Sequence, residues 1–114
     1  MQIDEVYAEL RSSGWTRDRI TRVGAERQPR YPGRYFVYFL FDSEYRLTYV
    51  GLSSIIGSRL YRHQHNWDRS DHPYSHALLL DIQGVRIGRE YQIEKELIRQ
   101  FNPPLNQRRQ PCSV

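Results

Sequence analysis

A run of seven aromatic and aliphatic residues, YFVYFLF at 35–41, is the feature that most constrains how this chain folds. It is far shorter than the roughly 20 residues that a membrane-spanning helix needs, and its aromatic and β-branched side chains favour strands. The turn-forming DSE follows at 42–44, and a second such stretch, LTYVG, occupies 47–51. The segment therefore predicts a β-hairpin with strands over 35–41 and 47–51.

Helical spacing of apolar residues recurs on both sides of this hairpin. The predicted helices span residues 1–13, 55–66 and 89–102. Gly14 is placed to stop the first helix, and Ser53 or Ser54 to cap the second at its N-terminus. The last helix must end before Pro103, because the residue that precedes a proline is driven out of the helical region.

The remaining segments decide the fold class. The stretch SHALLLDI, residues 75–82, predicts a third strand. The Arg-rich residues 14–33 predict either a short helix near 16–23 followed by a loop, or an irregular basic arm. The order of elements predicts an α/β (α+β) fold, in which a small, three-stranded, mostly antiparallel sheet is flanked by helices.

Length and composition bound the domain organisation and the location. At 114 residues the chain is expected to be one globular domain, with an N-terminal helix and Arg-rich arm over 1–33, a core over 34–106 and a basic tail over 107–114. The mean hydropathy is −0.77, and the first ten residues contain three acids instead of a basic leader. The single cysteine, Cys112, cannot form an intramolecular disulfide. We expect a cytoplasmic protein with no membrane partner.

The charge pattern bears on the partner. The net charge is +4, and Lys95 is the only lysine among 17 basic residues, so the others are arginines. A guanidinium is planar and permanently charged and matches phosphate oxygens, which favours nucleic acid as a partner. A net charge of this size also serves solubility alone, so the charge by itself leaves both interpretations open.

One carboxylate stands in an unexpected place. On a helical wheel of the last helix, Glu94 falls in the middle of an apolar face. The other side chains of that face are those of Tyr91, Ile93, Leu97, Ile98 and Phe101. Because an uncompensated charge is costly to desolvate, Glu94 needs a partner. The partner is either an arginine in a structural ion pair or a ligand or metal at a functional site.

The middle helix carries a second candidate pair, Arg59 and His63. They are spaced i, i+4 along one margin of the stripe formed by Ile56, Leu60 and Trp67. They either reach into one cleft together or merely border the core. The four histidines, His63, His65, His72 and His76, also suggest zinc, but no cysteine lies nearby, and the ligands would have to come from a helix, a loop and a strand.

Taken together, these residues resemble the signature of the GIY-YIG nuclease family. FVY at 36–38 stands where the family has GIY, and YVG at 49–51 stands for YIG. The arginine of SRLYRH, the first glutamate of IEKELI and the last asparagine of FNPPLN match the remaining motifs. These three are Arg59, Glu94 and Asn106. His63 is similar to the histidine of restriction-type and homing-type members, and Phe36 replaces the glycine of the first motif.

The resemblance implies a DNA endonuclease that hydrolyses phosphodiester bonds with one divalent ion, Mg²⁺ or Mn²⁺, at a single site. Glu94 would be the metal ligand, and Arg59 would contact the scissile phosphate. Tyr38, Tyr49 and His63 would handle the attacking water, and which of them is the base stays open. Gly51 and Asn106 would complete the core motif, with Asn106 tying the last turn to the core.

Other basic residues would hold the DNA. The chosen candidates are Arg34, Arg62, Arg108 and Arg109, together with Arg17, Arg19, Arg22, Arg27 and Arg30 of the arm. Cutting both strands from a single site predicts a homodimer or sequential nicks. Two alternatives stay open: a catalytically silent DNA-binding module on the same fold, and a basic domain whose histidines bind a structural metal and whose partner is a protein.

Overall fold

The computed structural model describes residues 1–26, 33–64 and 73–107. Within these ranges the helices are α1 (Ile3–Ser12), α2 (Ile56–Gln64), α3 (Glu90–Phe101) and α4 (Pro104–Gln107), with a 3₁₀ turn at Arg17–Arg19. The strands are β1 (Ile20–Gly24), β2 (Phe36–Phe41), β3 (Leu47–Ser53) and β4 (His76–Asp81). The longest described helix, α3, has 12 residues, and no described helix is long and apolar enough to cross a membrane.

The four strands form one antiparallel sheet in the order β1-β4-β2-β3. The predicted α+β class and the predicted hairpin of β2 and β3 are confirmed. Every residue of β2 is buried, because this strand has a neighbour on each edge and helices on each face. The apolar run that dominates the sequence is thus an inner strand of the sheet.

The prediction of three strands is wrong, because β1 adds a fourth. Of the short helix predicted near 16–23 only the 3₁₀ turn at Arg17–Arg19 forms. Ile20–Gly24 is instead a strand that pairs with β4, with Ile20 opposite Leu80 and Gly24 opposite His76. In β1, Ile20 and Val23 are buried while Thr21 and Arg22 are exposed. A strand at the edge of a sheet tolerates charged side chains that reach solvent. Because Arg22 is such a residue, the sequence of β1 lacks the apolar pattern by which a strand is recognised.

The sheet separates two apolar clusters. One face of β2, which carries Val37, Phe39 and Phe41, packs against α1 and α3, and we call it the α1/α3 face. The other face carries Phe36, Tyr38 and Leu40, packs against α2, and is called the α2 face. Alternation of side chains along the strand produces this division, so residues two apart on β2 share a cluster.

The helix ends follow the sequence, but the buried stripe of α3 is narrower than predicted. Gly14 has a φ of +103° just after α1, and Asn102 ends α3 in the left-handed conformation directly before Pro103. The buried residues of α3 recur every four positions, at Ile93, Leu97 and Phe101. Tyr91 is 73% exposed, because the residues of α3 that pack against the core begin only at Ile93. Glu94 is half-buried at the margin of the stripe.

The second helix forms close to the predicted position. α2 begins at Ile56 and is described as far as Gln64, whereas Trp67 and the last predicted residues lie outside the described ranges. The Ser53 hydroxyl accepts a hydrogen bond from the Ile55 N–H at 2.9 Å, just before the first turn. Ser53 therefore shapes the entry into the helix from the end of β3.

The Asp42 carboxylate organises the turn of the hairpin. It accepts hydrogen bonds from the N–H groups of Glu44 and Arg46, both at 2.9 Å, and from Nε of Arg46 at 3.1 Å. Burial disfavours the charged carboxylate, but these donors and the Arg46 charge outweigh it and lower the pKa of Asp42 below its ordinary value of 3.8. The charged form of Asp42 therefore stabilises the hairpin.

Replacing Asp42 by Asn should remove this contribution. We expect Asp42→Asn to lower the free energy of unfolding at neutral pH by roughly 1–3 kcal/mol, because hydrogen bonds to a charged group are lost. A depressed folded-state pKa stabilises the protein above the ordinary value and ceases to do so as pH falls through the folded value, so the gap to wild type should close in acid. Urea unfolding at several pH values measures it.

The matched control is Glu44→Gln, in the same turn. The Glu44 side chain is 70% exposed and approaches Arg46 at 3.3 Å, so its loss should change the free energy of unfolding by under about 1 kcal/mol. A gap between wild type and Asp42→Asn that stays the same down to acidic pH would contradict the role assigned to the charge.

Candidate active site

A buried tyrosine and a buried histidine share a hydrogen bond on the α2 face. Tyr38 on β2 is 1% exposed and His63 in the last turn of α2 is 3% exposed. The Tyr38 hydroxyl oxygen lies 3.1 Å from Nε2 of His63, and the tautomer of the imidazole decides which group donates. The pair couples the sheet to the helix and places a proton-transfer path between two titratable groups.

Tyr49 completes an aromatic triad with Tyr38 and His63. The ring centroid of Tyr49 lies 6.2 Å from the ring centroid of Tyr38 and 5.5 Å from that of His63. The ring centroids of Tyr38 and His63 lie 5.4 Å apart. Tyr49 is on β3, opposite Leu40, so it is the diagonal neighbour of Tyr38 on the same face. The structure therefore brings together both tyrosines and the histidine of the sequence prediction.

Gly51 gives the Tyr38 ring its space. The two residues are direct partners across β2 and β3, and a Cβ at position 51 would collide with Cζ and the hydroxyl oxygen of Tyr38. The φ of Gly51 lies outside the left-handed region, so it is space and not backbone conformation that requires glycine here. The glycine of the YVG motif thus lets the Tyr38 ring lie across β3.

Asn106 on α4 holds the outer edge of β3. Its Nδ2 donates to the Val50 carbonyl at 2.9 Å, and its Oδ1 accepts from the Val50 N–H at 2.8 Å. The side-chain amide thereby takes the place that a further strand would occupy. Val50 lies between Tyr49 and Gly51, so Asn106 ties the end of the described chain to the strand that carries both, as the sequence predicted.

Arg59 lies one turn before His63 on α2. It is half-buried, and its Nε is a buried donor with no hydrogen-bond partner in the described part of the chain. Such an unsatisfied group costs about 1–3 kcal/mol, and in native structures it calls for an explanation such as a functional role.

Glu94 is the acidic candidate. It is half-buried on α3, and α3 packs against β3, the strand that carries Tyr49 and Gly51. A single carboxylate suits Mg²⁺, which takes oxygen ligands and retains water and phosphate oxygens as its others. The chemistry of Glu94 therefore fits the ion that the family resemblance implies.

A closed zinc site would need several ligands. Over residues 1–26, 33–64 and 73–107 there is no group of three or more His, Cys, Asp or Glu side chains that could hold a metal ion. His65 and His72 lie outside the described residues. The His76 ring stacks on Tyr45 with centroids 4.4 Å apart, and His63 is the partner of Tyr38.

The basic residues chosen as DNA contacts differ in their surroundings. Arg62 is exposed in the last turn of α2, one residue before His63. Arg34 forms a salt bridge with Asp81 at 2.6 Å, so its charge is already neutralised by a carboxylate. The candidates Arg27, Arg30, Arg108 and Arg109 lie outside the described residues. Arg62 is thus the best placed of the described candidates outside the arm.

Two of the other described arginines of the arm, Arg19 and Arg22, also have partners. Nη1 of Arg19 donates to two backbone carbonyls. Arg22 approaches the Asp4 carboxylate at 3.7 Å, and its guanidinium lies 5.7 Å from the Tyr45 ring centroid. Arg17 is exposed and belongs to no ion pair among the described residues. The arm is therefore partly a structural element and only partly an open basic surface.

Sequence reasoning missed Tyr74. It is 4% exposed and belongs to the same apolar cluster as Tyr38 and Tyr49. Burial, helped by the charge of Glu26, raises the pKa of Tyr74 to about 12. Tyr74 is thus protonated at neutral pH. Its place directly after Pro73 and before a strand carries no helical or strand signal that could have identified it.

Comparison of the chain with protein-family models, curated proteins and solved structures finds no match. The GIY-YIG resemblance therefore stays a prediction from the motifs and their spacing. The geometry of the triad, Gly51 and Asn106 is a separate observation, because it follows from strand register, packing and hydrogen bonds.

Substitution of Gly51 tests the contact with Tyr38. We expect Gly51→Ala to lower the free energy of unfolding by roughly 1–3 kcal/mol, as overpacking does, because the new methyl group occupies the place of the tyrosine ring. In a Tyr38→Leu background the same change should cost less, since Cζ and the hydroxyl are gone. Urea unfolding of the four proteins gives the coupling energy, expected at about 0.5–3 kcal/mol. Strictly additive effects would contradict the contact.

Proposed function

We propose that this chain is a divalent-metal-dependent DNA endonuclease of the GIY-YIG type, which hydrolyses phosphodiester bonds at a single site. The observation that carries the proposal is the buried hydrogen bond between Tyr38 and His63. Arg59, with its unpartnered Nε, lies one turn earlier on the same helix. A proton path and a cation suited to phosphate are thus adjacent, as hydrolysis of a phosphodiester requires.

The tyrosine and histidine would act together on the attacking water. A free phenol titrates near 10 and an imidazole near 6.5, so at neutral pH a neutral tyrosine can take a proton from water only as it passes its own proton to a group that is unprotonated at that pH, such as an imidazole. Nε2 of His63 is 3.1 Å from the Tyr38 oxygen and within reach of that proton. In this proposal Tyr38 takes a proton from water as its own passes to His63.

Arg59 would bind the scissile phosphate. A guanidinium is always charged and can donate two parallel hydrogen bonds to phosphate oxygens. Its charge would offset the negative charge that develops on those oxygens in the transition state. The fixed spacing of one helical turn keeps Arg59 and His63 on the same side of α2.

Glu94 would hold the metal ion. When bound, Mg²⁺ or Mn²⁺ supplies positive charge to the phosphate oxygens and makes a coordinated water easier to deprotonate. Tyr49 would order the site by packing against both Tyr38 and His63. Because there is one such site per chain, cutting both strands would need a homodimer or successive nicks.

A DNA-binding module that no longer cuts is the competing proposal. It would need exposed arginines such as Arg62, but not a hydrogen bond between two buried titratable groups. Replacing both members of such a pair by apolar side chains of similar shape is often nearly neutral for stability. The presence of this pair therefore favours a nuclease.

Plasmid cleavage tests the metal ligand. We expect the protein to nick or cut supercoiled plasmid with Mg²⁺ or Mn²⁺ and not with EDTA, and Glu94→Gln to reduce the rate by on the order of 100-fold or more, because the charged ligand is lost. The matched control is Glu96→Gln on the same helix. Glu96 is exposed and pairs with Arg86, so its loss should leave cutting unchanged.

Two outcomes of this experiment would contradict the proposal. If Glu94→Gln cuts as fast as wild type, the carboxylate is not the ligand. If the wild-type chain shifts DNA in a gel but cuts none with either ion, the binding module is the correct interpretation.

The tyrosines can be tested without removing their rings. Tyr38→Phe keeps the packing and loses the hydrogen bond to His63, so we expect cutting to fall by roughly 10²–10⁴-fold, the usual contribution of acid–base catalysis. The free energy of unfolding should fall by roughly 1–3 kcal/mol, because Nε2 of the buried His63 loses this partner. Tyr49→Phe should have the smaller effect on the rate, because its ring still packs. Full activity of the Tyr38→Phe variant would contradict a catalytic role for Tyr38 and leave it only a structural one.

A further inference from the structure

A cleft of about 290 Å³ lies where α1 ends and the chain turns towards β1. Its lining residues are Ser13, Gly14, Trp15, Thr16, Arg19 and Val85. Trp15 and Val85 pack against the cluster on the α1/α3 face, whereas the aromatic triad belongs to the cluster on the α2 face. The cleft therefore lies on the opposite face of the sheet from the aromatic triad.

The size and walls of the cleft limit what it can hold. Ligand pockets commonly enclose roughly 300–1,000 Å³, so this cleft is at the lower end and suits a single ring system. Trp15 is half-buried: part of its indole packs against the core and part borders the cleft. Val85 adds a second apolar wall. A flat, apolar ligand of one ring fits these surfaces.

The polar groups of the cleft are mainly donors. Nη1 of Arg19 donates to the carbonyl oxygens of Asp81 at 2.9 Å and Gln83 at 3.2 Å, which fixes the guanidinium in the wall. Nε and Nη2 of Arg19 make no hydrogen bond within the described chain, and an arginine has no acceptor. The Ser13 hydroxyl accepts from Nε2 of Gln100 at 3.3 Å, so its own proton is available to donate. These donors suit a ligand that presents acceptors.

The surroundings are positively charged. Arg11, in the last turn of α1, and Arg17, at the start of the 3₁₀ turn, are exposed and belong to no ion pair among the described residues. The nearby Asp18 carboxylate, whose pKa is lowered first of all by a hydrogen bond with the Thr16 hydroxyl, adds one negative charge beside these two cations. A ligand with an anionic backbone would find two cations beside the ring-binding cleft.

We propose that this cleft binds an unpaired pyrimidine base of single-stranded DNA, which would stack on Trp15 and accept hydrogen bonds from Arg19 through its carbonyl oxygens. Arg11 and Arg17 would contact the neighbouring phosphates. Stacking on an aromatic side chain beside arginines is the usual way in which proteins hold single strands. The inference rests on the proposed function in taking DNA as the partner, but not on cutting, and it specifies a substrate that contains an unpaired segment.

Binding in EDTA, where no cutting occurs, tests the proposal. The probes are a tagged short thymidylate oligomer and an abasic deoxyribose-phosphate oligomer of the same length, which has the same charge and no rings. We expect the thymidylate oligomer to bind about tenfold more tightly by fluorescence anisotropy, as one base stack contributes. Trp15→Leu should abolish this preference, and Trp15→Phe should keep most of it. The control Tyr91→Leu removes an exposed aromatic residue outside the cleft and should change nothing.

A second measurement does not depend on the stability of the Trp15 variants. The chain has two tryptophans, so Trp67→Phe leaves Trp15 as the only one, and its emission should be quenched saturably by the thymidylate oligomer and not by the abasic one. Equal affinity of wild type for both oligomers, or unchanged Trp15 emission, would overturn the proposal. Plasmid cutting without a preference for the thymidylate oligomer would contradict only the base-binding cleft. Quenching of Trp15 emission by the thymidylate oligomer without plasmid cutting would contradict only the proposed nuclease activity.

Discussion

The position of the Tyr38 ring is the constraint on which the candidate active site depends. Tyr38 lies on an inner strand and is 1% exposed, and its ring lies across β3, where Gly51 leaves room for it. A buried phenol then needs a hydrogen-bond partner, and His63 supplies it. That bond ties the last turn of α2 to the sheet, and Arg59 is held one turn earlier. The position of the Tyr38 ring thus accounts for the packing around it, for its hydrogen bond to His63 and for the arrangement of the candidate catalytic residues.

The two edges of the sheet are treated differently. On β3, the side chain of Asn106 pairs with both backbone groups of Val50, and the Met1 carbonyl and the Ile3 N–H pair with Leu47 and Tyr45. These contacts cover the edge that carries Tyr49 and Gly51 and hold its register. On β1, exposed polar side chains take over the protection that an edge strand requires. Hydrogen bonds therefore protect the edge of the sheet beside the candidate site, and exposed polar side chains protect the opposite edge, β1.

The features that sequence reasoning predicted correctly depend on a few neighbouring residues. The hairpin followed from two apolar runs around a turn, and the end of α3 from Pro103. The motif residues Tyr38, Tyr49 and His63 do meet in space, although no local pattern shows that they touch. The strand Ile20–Gly24 was missed because its pairing with β4 is a contact between residues more than 50 positions apart. The exposure of Tyr91 was missed because a helical wheel assumes that the apolar face packs against the core along the whole length of the helix.

The sequence by itself therefore determined the hairpin, the three main helices and the ends of α1 and α3, since turn chemistry, apolar periodicity and proline act within a few residues. Only the tertiary structure decided that the sheet has four strands, that Glu94 lies at the margin of a buried stripe, and that Trp15 and Arg19 line one cleft. These facts depend on which surfaces meet when distant segments pack. The hydrogen bond from Tyr38 to His63 joins both levels: its residues are visible in the sequence, and its geometry exists only because α2 folds back onto the sheet.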